Sequence, residues 1–233
     1  MPYSPHPSVP SLSPISKSQL AIVLSQLKPF SNPKIHLEQY TTDAEIAADV
    51  LWNAFMLRDI RDKTVADFGC GTGTIGIGAL LLGARHIWFV DIDETLPAII
   101  SENILHAQEL SGIALGADTR DAGRYTIVVS DIQDVSLTNF DQPVETIIQN
   151  PPFGIQKKHA DQKFLEKALS LAPAVYSFHT HDSLPFVKTL AQKHACALTH
   201  FWFYPFPLKK SYSFHTKKRV QKKIVVCRLA HSA

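Results

Sequence analysis

The chain has little cysteine, little net charge and no long apolar run. Cys70, Cys196 and Cys227 are its three cysteines and stand far apart in 233 residues. They match neither a disulfide framework nor a zinc spacing, which points to a reducing, cytoplasmic setting, or a nuclear one in a eukaryote. No segment approaches the roughly 20 apolar residues of a membrane span, and no apolar core of a secretory signal is visible. The formal net charge of +2 excludes a global polycation. His179 and His181 form a strand-end pair without a third ligand, so no metal site is expected. No internal repeat is apparent. What remains, 45% apolar residues in a chain of this length, suits one α/β domain with a substantial core.

Glycine is scarce overall, and both glycine and proline are concentrated where they are informative. Pro2, Pro5, Pro7, Pro10 and Pro14 lie among serines, so residues 1–14 read as a disordered tail. The tetrad Asn150-Pro151-Pro152-Phe153 follows the apolar run 144–149. Each proline fixes its own φ, removes a donor and holds the preceding residue extended. The Asn150 amide oxygen, the Pro151 carbonyl and the Phe153 face therefore suit a flat ring that carries an amino group. The plainer alternative is a turn after a strand.

Residues 64–76 read Thr-Val-Ala-Asp-Phe-Gly-Cys-Gly-Thr-Gly-Thr-Ile-Gly. A short apolar strand leads into Gly69, Gly71 and Gly73, which allow positive φ and close approach to a ligand. A helix follows and stops at Gly83. A second strand ends at Asp91, whose carboxylate can accept both hydroxyls of a ribose. Gly71 to Gly76 also matches the dinucleotide fingerprint G-x-G-x-x-G, so a dehydrogenase is an alternative. Against it stand the longer pattern Asp67-x-Gly69-x-Gly71-x-Gly73 and Asn-Pro-Pro-Phe at a later strand end. Cys70 reads as a small residue that fits the loop rather than as a nucleophile.

The rest of the chain alternates strand and helix. Strands are expected near 64–68, 86–91, 125–130, 144–149, 174–178, 195–204 and 224–229, and helices near 74–82, 96–110, 161–171 and 182–193. Pro97 suits a first helical turn and Gly112 a stop. Two helices precede this core, Ser16 to Lys28 and Asp43 to about Asp59, with Thr42 and Glu45 as a capping box for the second. The expected architecture is α/β: a doubly wound, mostly parallel seven-stranded sheet with an antiparallel last strand. Residues 15–233 then form a single domain with a helical extension over 15–60 and a basic hairpin loop over 205–223. Asp67 to Gly73, Asp91, Asp131 and Asn150 to Phe153 all fall at strand C-terminal ends, where ligands bind in such sheets.

At these residues the chain resembles the class I S-adenosylmethionine-dependent methyltransferases. The resemblance implies S-adenosylmethionine as cofactor. It places Asp67, Gly69, Gly71, Thr72, Gly73 and Thr74 at its methionine part, Asp91 at the ribose, and Asp131 with Ile132 at the adenine. Asp131 also reads as an ordinary turn start. The stretches Leu37-Glu38-Gln39-Tyr40-Thr41-Thr42, Asn150 to Gly154, Asp161 to Leu165, Ala174 to His179 and Ser211 to Arg219 narrow the match. Together they resemble the methyltransferase-like protein 5 family, over about residues 35–230. That family methylates the exocyclic amino group of an adenosine in small-subunit ribosomal RNA. The resemblance adds Gln39 and Thr42 to the cofactor contacts and implies a small zinc-containing activator as a partner of its eukaryotic members. Residues 113–124 look longer than the family's usual link.

The basic residues are unevenly placed. Residues 209–223 hold seven lysines and arginines and no acid, interleaved with Tyr212, Phe214 and His215. Lys209, Lys210, Lys217, Lys218 and Arg219, with Lys157 and Lys158 beyond the tetrad, are the candidate RNA contacts. The alternative is a solvated hairpin tip.

Overall fold

The computed structural model describes residues 15–116, 124–152, 160–206 and 222–231. Seven strands form one sheet: β1 (Thr64–Phe68), β2 (His86–Asp91), β3 (Tyr125–Val129), β4 (Thr146–Gln149), β5 (Ala174–Thr180), β6 (Cys196–Phe206) and β7 (Lys222–His231). Their order is β3-β2-β1-β4-β5-β7-β6. β1 to β5 are parallel, and β7 runs antiparallel to both β5 and β6. The order reverses between β1 and β4, which creates a crevice at their C-terminal ends. The expected fold class is borne out.

Helices cover both faces. α1 (Lys17–Ser25), α2 (Ala44–Met56), α3 (Thr74–Leu81) and α4 (Leu96–Ser111) pack on one face, and α5 (Ala160–Leu171) and α6 (Leu184–Lys193) on the other. β1 is buried along its whole length, as a continuous apolar run in the middle of a parallel sheet must be. α3 comes unusually close to its neighbours. A Cβ on Gly76 would stand 2.2 Å from the Phe89 ring, and one on Gly78 2.4 Å from Leu51 of α2. Small residues there let α3 lie on β2 and α2 lie on α3. Asp59, just past α2, accepts from the Tyr176 hydroxyl at 2.6 Å and Arg228 Nε at 2.7 Å. These bonds tie that loop to β5 and β7.

Boundaries differ from the sequence expectation in instructive ways. α1 starts at Lys17 because Ser16 caps it with Gln19 in a reciprocal box, and it ends at Ser25, well before Pro29. The N-cap of α2 is Asp43, whose carboxylate accepts from the Glu45 and Ile46 amides. Thr42 is not the cap, so its hydroxyl is available to another partner. β4 begins at Thr146 rather than at residue 144. Glu145 instead turns to Lys63 and Arg85, both at 2.8 Å. Pro97 and Gly112 (φ 70°) do open and close α4.

Candidate functional site

One cavity lies at the C-terminal rim of the sheet, over the crevice between β1 and β4. From the glycine loop it takes Asp67, Gly69, Gly71, Thr72 and Thr74; Asp91 stands at the end of β2, Asp131 and Ile132 follow β3, and Asn150 and Pro152 follow β4. Gln39 and Thr42 reach it from the segment before α2. Gly73 and Pro151 sit just outside the lining. Phe153, Lys157, Lys158, Lys209, Lys210, Tyr212, Phe214, His215, Lys217, Lys218 and Arg219 lie outside the described residues.

The glycine loop is held open by its own backbone. Gly71 (φ 54°) and Gly73 (φ 87°) are left-handed, a region that costs most L-residues steric strain. A Cβ on Gly71 would also stand 2.7 Å from the Phe30 ring. Buried Asn103 of α4 donates to the Thr72 carbonyl at 3.0 Å and to that of Lys28 at 3.1 Å. Thr74 is buried in the first turn of α3, and its hydroxyl has no partner among the described residues. An orphaned buried hydroxyl on a cavity wall leaves a hydrogen bond for a ligand or a water to make.

The cavity is acidic. Asp67 accepts from the Gly76 amide at 2.8 Å. Burial, with Asp91 nearby adding to it, pushes its carboxyl up to about 7. Asp91 accepts from the Gly71 amide at 2.9 Å and the Asp93 amide at 3.1 Å. Burial raises its carboxyl too. Both carboxyl groups thus accept from backbone amides, and their ionised forms leave a field that favours a cation. Asp93 is different. Lys34 Nζ and Gln39 Nε2 each reach it at 2.7 Å, and Thr95 at the same distance. These donors outweigh burial and hold its carboxyl well below the usual range. Gln39 also accepts from the Lys34 amide at 2.8 Å. Its first role is therefore to strap residues 34–39 to the end of β2, beside any contact with a ligand. Asp131 accepts from the Gln133 amide at 2.9 Å. It does form the turn that its sequence suggests, while its position on the cavity wall is kept.

Two side-chain hydrogen bonds fix Asn150 at the rim. The Tyr40 hydroxyl donates to its Oδ1 at 2.8 Å, and its Nδ2 donates to Thr42 Oγ1 at 2.9 Å. The two partners come from the segment leading into α2, 110 and 108 residues away in sequence. Burial raises the Tyr40 phenol far above its ordinary value, so it stays a neutral donor. Burial likewise raises the Cys70 thiol, which makes it a poor nucleophile. His179 is buried, its pKa lowered to about 4 by desolvation, and its ring nitrogens find no partner among the described residues. His181 is exposed and faces Asp182.

A class I methyltransferase fold with an acidic cofactor cavity and a fixed amide beside it is what this geometry defines. The sequence model of the ribosomal protein L11 methyltransferase family (PrmA) matches residues 53–151, the stretch from α2 to Pro151. Full-length relatives are more specific. The chain is 34% identical to the rRNA N(6)-adenosine-methyltransferase METTL5 of Danio rerio, covering 87% of this chain and 92% of that protein. It is 36% identical to protein MJ0284 of Methanocaldococcus jannaschii, covering 92% and 94%. The crystal structure of PH1948 from Pyrococcus horikoshii, proposed to be an RNA methyltransferase, superposes with a TM-score of 0.75 at 34% identity, covering 93% and 98%. The chain belongs to the METTL5 family of rRNA N6-adenosine methyltransferases.

Proposed function

We propose that this protein transfers a methyl group from S-adenosylmethionine to the exocyclic nitrogen of an adenosine in small-subunit ribosomal RNA. The observation that carries this reading is Asn150, locked by Tyr40 and Thr42 at the edge of the acidic cavity. The cavity fits the cofactor: two amide-held carboxylates favour its cationic groups, and the Thr74 hydroxyl awaits a partner. Gly71 and its neighbours would hold the methionine part, Asp91 the ribose, and Asp131 with Ile132 the adenine. When bound, S-adenosylmethionine supplies an electrophilic sulfonium methyl.

The protein's own groups then act by positioning. The target base leaves its stack to reach a rim site, as base-modifying enzymes require. Its two amino hydrogens go to the Asn150 oxygen and the Pro151 carbonyl, and Phe153 offers a stacking face. Those acceptors favour a pyramidal nitrogen and free its lone pair for in-line attack. Orientation and fixed dipoles carry the rate. The Asn150 amide is neutral and takes no proton. The methylated nitrogen is cationic and sheds its proton without a strong base.

Two partners belong to this proposal. Ribosomal RNA is the first, with the basic residues 209–223 as its phosphate contacts. The second is a small zinc-containing activator, which the family resemblance implies. The edge of β3, unpaired among the described residues and with Val129 48% exposed, supports strand addition there. The decisive test is incubation with ribosomal RNA and labelled cofactor, then mass mapping of the modified nucleotide. Label on one adenosine N6 is expected. Label only on DNA, guanine or protein glutamine, or none at all, would overturn the reading.

A further inference from the structure

β6 carries an aromatic residue at four successive positions, Phe201-Trp202-Phe203-Tyr204. Alternation along a strand sends them to opposite faces. Trp202 and Tyr204 face the core. Trp202 stacks on Tyr176 with ring centroids 6.3 Å apart, and the Tyr204 hydroxyl donates to Asp49 at 2.6 Å. Phe201 and Phe203 belong to neither buried cluster. They are 50% and 47% exposed, and their rings meet edge to face at 5.4 Å. The exposed imidazole of His181 lies 5.1 Å from the Phe203 ring. Packing of the fold accounts for one pair of aromatics and leaves the other pair on the surface.

Strand register places this surface pair at the height of the acceptor amide. Phe201 pairs with Cys227, Cys227 with Ser177, and Ser177 with Gln149, the residue before Asn150. Phe203 is two residues further toward the rim, level with His179. Three strand spacings separate β4 from β6, about 14 Å. The strand then runs on in sequence toward Lys209 and Lys210, with Lys217, Lys218 and Arg219 beyond and no acidic residue among them. A polyanion with planar apolar groups satisfies both the rings and the charge.

We propose that Phe201, Phe203 and His181 form a second RNA contact, a stacking platform for unpaired bases a few nucleotides from the methylated adenosine. This rests on the RNA substrate proposed above. Bases stack on exposed aromatic rings without regard to sequence. The platform therefore selects for single-stranded flanks and helps to hold the target out of a helix.

The test uses the full chain, a single-stranded RNA dodecamer with one central adenosine, and the same sequence as a duplex. Replacing both Phe201 and Phe203 by alanine should weaken single-strand binding about 5- to 150-fold per base unstacked. The salt slope should stay unchanged, because stacking releases no counterions. The preference for single strand over duplex should shrink with it. Phe203→Trp should keep wild-type affinity, and Leu105→Ala, an exposed leucine on α4, serves as the surface control. Unchanged RNA affinity in the double variant overturns the proposal. So does a wild-type dimer in sedimentation that the double variant disperses without loss of RNA binding, which would make the strip a self-association surface. Failure of the RNA-substrate reading looks different: the wild type would bind the dodecamer through these rings yet transfer no methyl group to ribosomal RNA.

Discussion

Removing the Tyr40 hydroxyl should slow methyl transfer about tenfold without loosening the cofactor. Asn150 has two side-chain anchors, the Tyr40 hydroxyl at Oδ1 and Thr42 at Nδ2. A hydrogen bond of this kind contributes about 0.5–1.5 kcal/mol net. In Tyr40→Phe the ring keeps its place and one anchor goes, so the amide gains freedom to turn away from the base. A loss of about 1.4 kcal/mol in the population of the productive rotamer is about tenfold in rate. Complete removal of the acceptor in Asn150→Ala sets the scale above it, at roughly 10²–10³. The assay is single-turnover transfer from labelled cofactor to ribosomal RNA, with cofactor affinity measured by calorimetry. Thr42→Val should behave like Tyr40→Phe, and Thr42→Ser should retain the wild-type rate because it retains the hydroxyl. The rate–pH profile should keep its shape in Tyr40→Phe, since the buried phenol is not a titrating group in the working range. A wild-type rate in Tyr40→Phe, or a loss of cofactor affinity that matches the loss of rate, would refute the positioning argument.

Asp91→Ala should weaken S-adenosylmethionine by about 1–3 kcal/mol, the range for losing charge-assisted bonds. It should also lower the melting temperature of the free protein, because Asp91 holds the Gly71 amide; wild-type affinity would remove Asp91 from the ribose site. Asp67 predicts a pH dependence. Its folded pKa of about 7 lies above the ordinary carboxyl value, so the folded state keeps the proton longer than the unfolded chain. Its contribution to stability is full below about pH 4 and is lost as pH rises toward 7. A cationic cofactor favours the ionised carboxylate, so binding should tighten as pH rises through 7 and release protons in calorimetry. Asp67→Asn should flatten both trends, and an unaltered pH profile in that variant would reject the assignment. Replacing Lys217, Lys218 and Arg219 by alanine should flatten the dependence of log RNA affinity on log salt by up to about 0.7–0.9 for each phosphate no longer neutralised. A wild-type slope would reduce the run to a solvated tip. Val129→Glu should abolish capture of the zinc-containing activator while leaving cofactor affinity intact; full activity and monodispersity of the wild-type chain alone would argue against an obligate partner.

Much of this molecule is legible from local signals. Strand and helix periods, the glycine stops at Gly83 and Gly112, and the shared position of Asp67, Asp91, Asp131 and Asn150 at strand ends are short-range features, and the sheet follows from them. Local signals mislead at boundaries where two residues compete for one role. Thr42 and Asp43 can both cap a helix, and only the path of the backbone chooses Asp43. That choice has a consequence for the site, because it leaves the Thr42 hydroxyl to Asn150. Residues joined across long separations give no such signal. Tyr40 lies inside the stretch that marks the family, yet nothing in its neighbours points to Asn150. Asp93 and Lys34, like Asn103 and Thr72, meet only once the chain has folded. The family resemblance gives Gln39 to the ligand, and in the folded chain it lines the cavity while its amide is also bound to Asp93, a contact no local signal announces. Together these bonds make the segment before α2 the part of the molecule that couples the two halves of the site. Its Lys34 and Gln39 grip Asp93 past the end of β2, and its Tyr40 and Thr42 grip Asn150 past the end of β4. On the reading proposed here, a displacement of that one segment would therefore disturb cofactor and acceptor together, although the two sites are built from different strands.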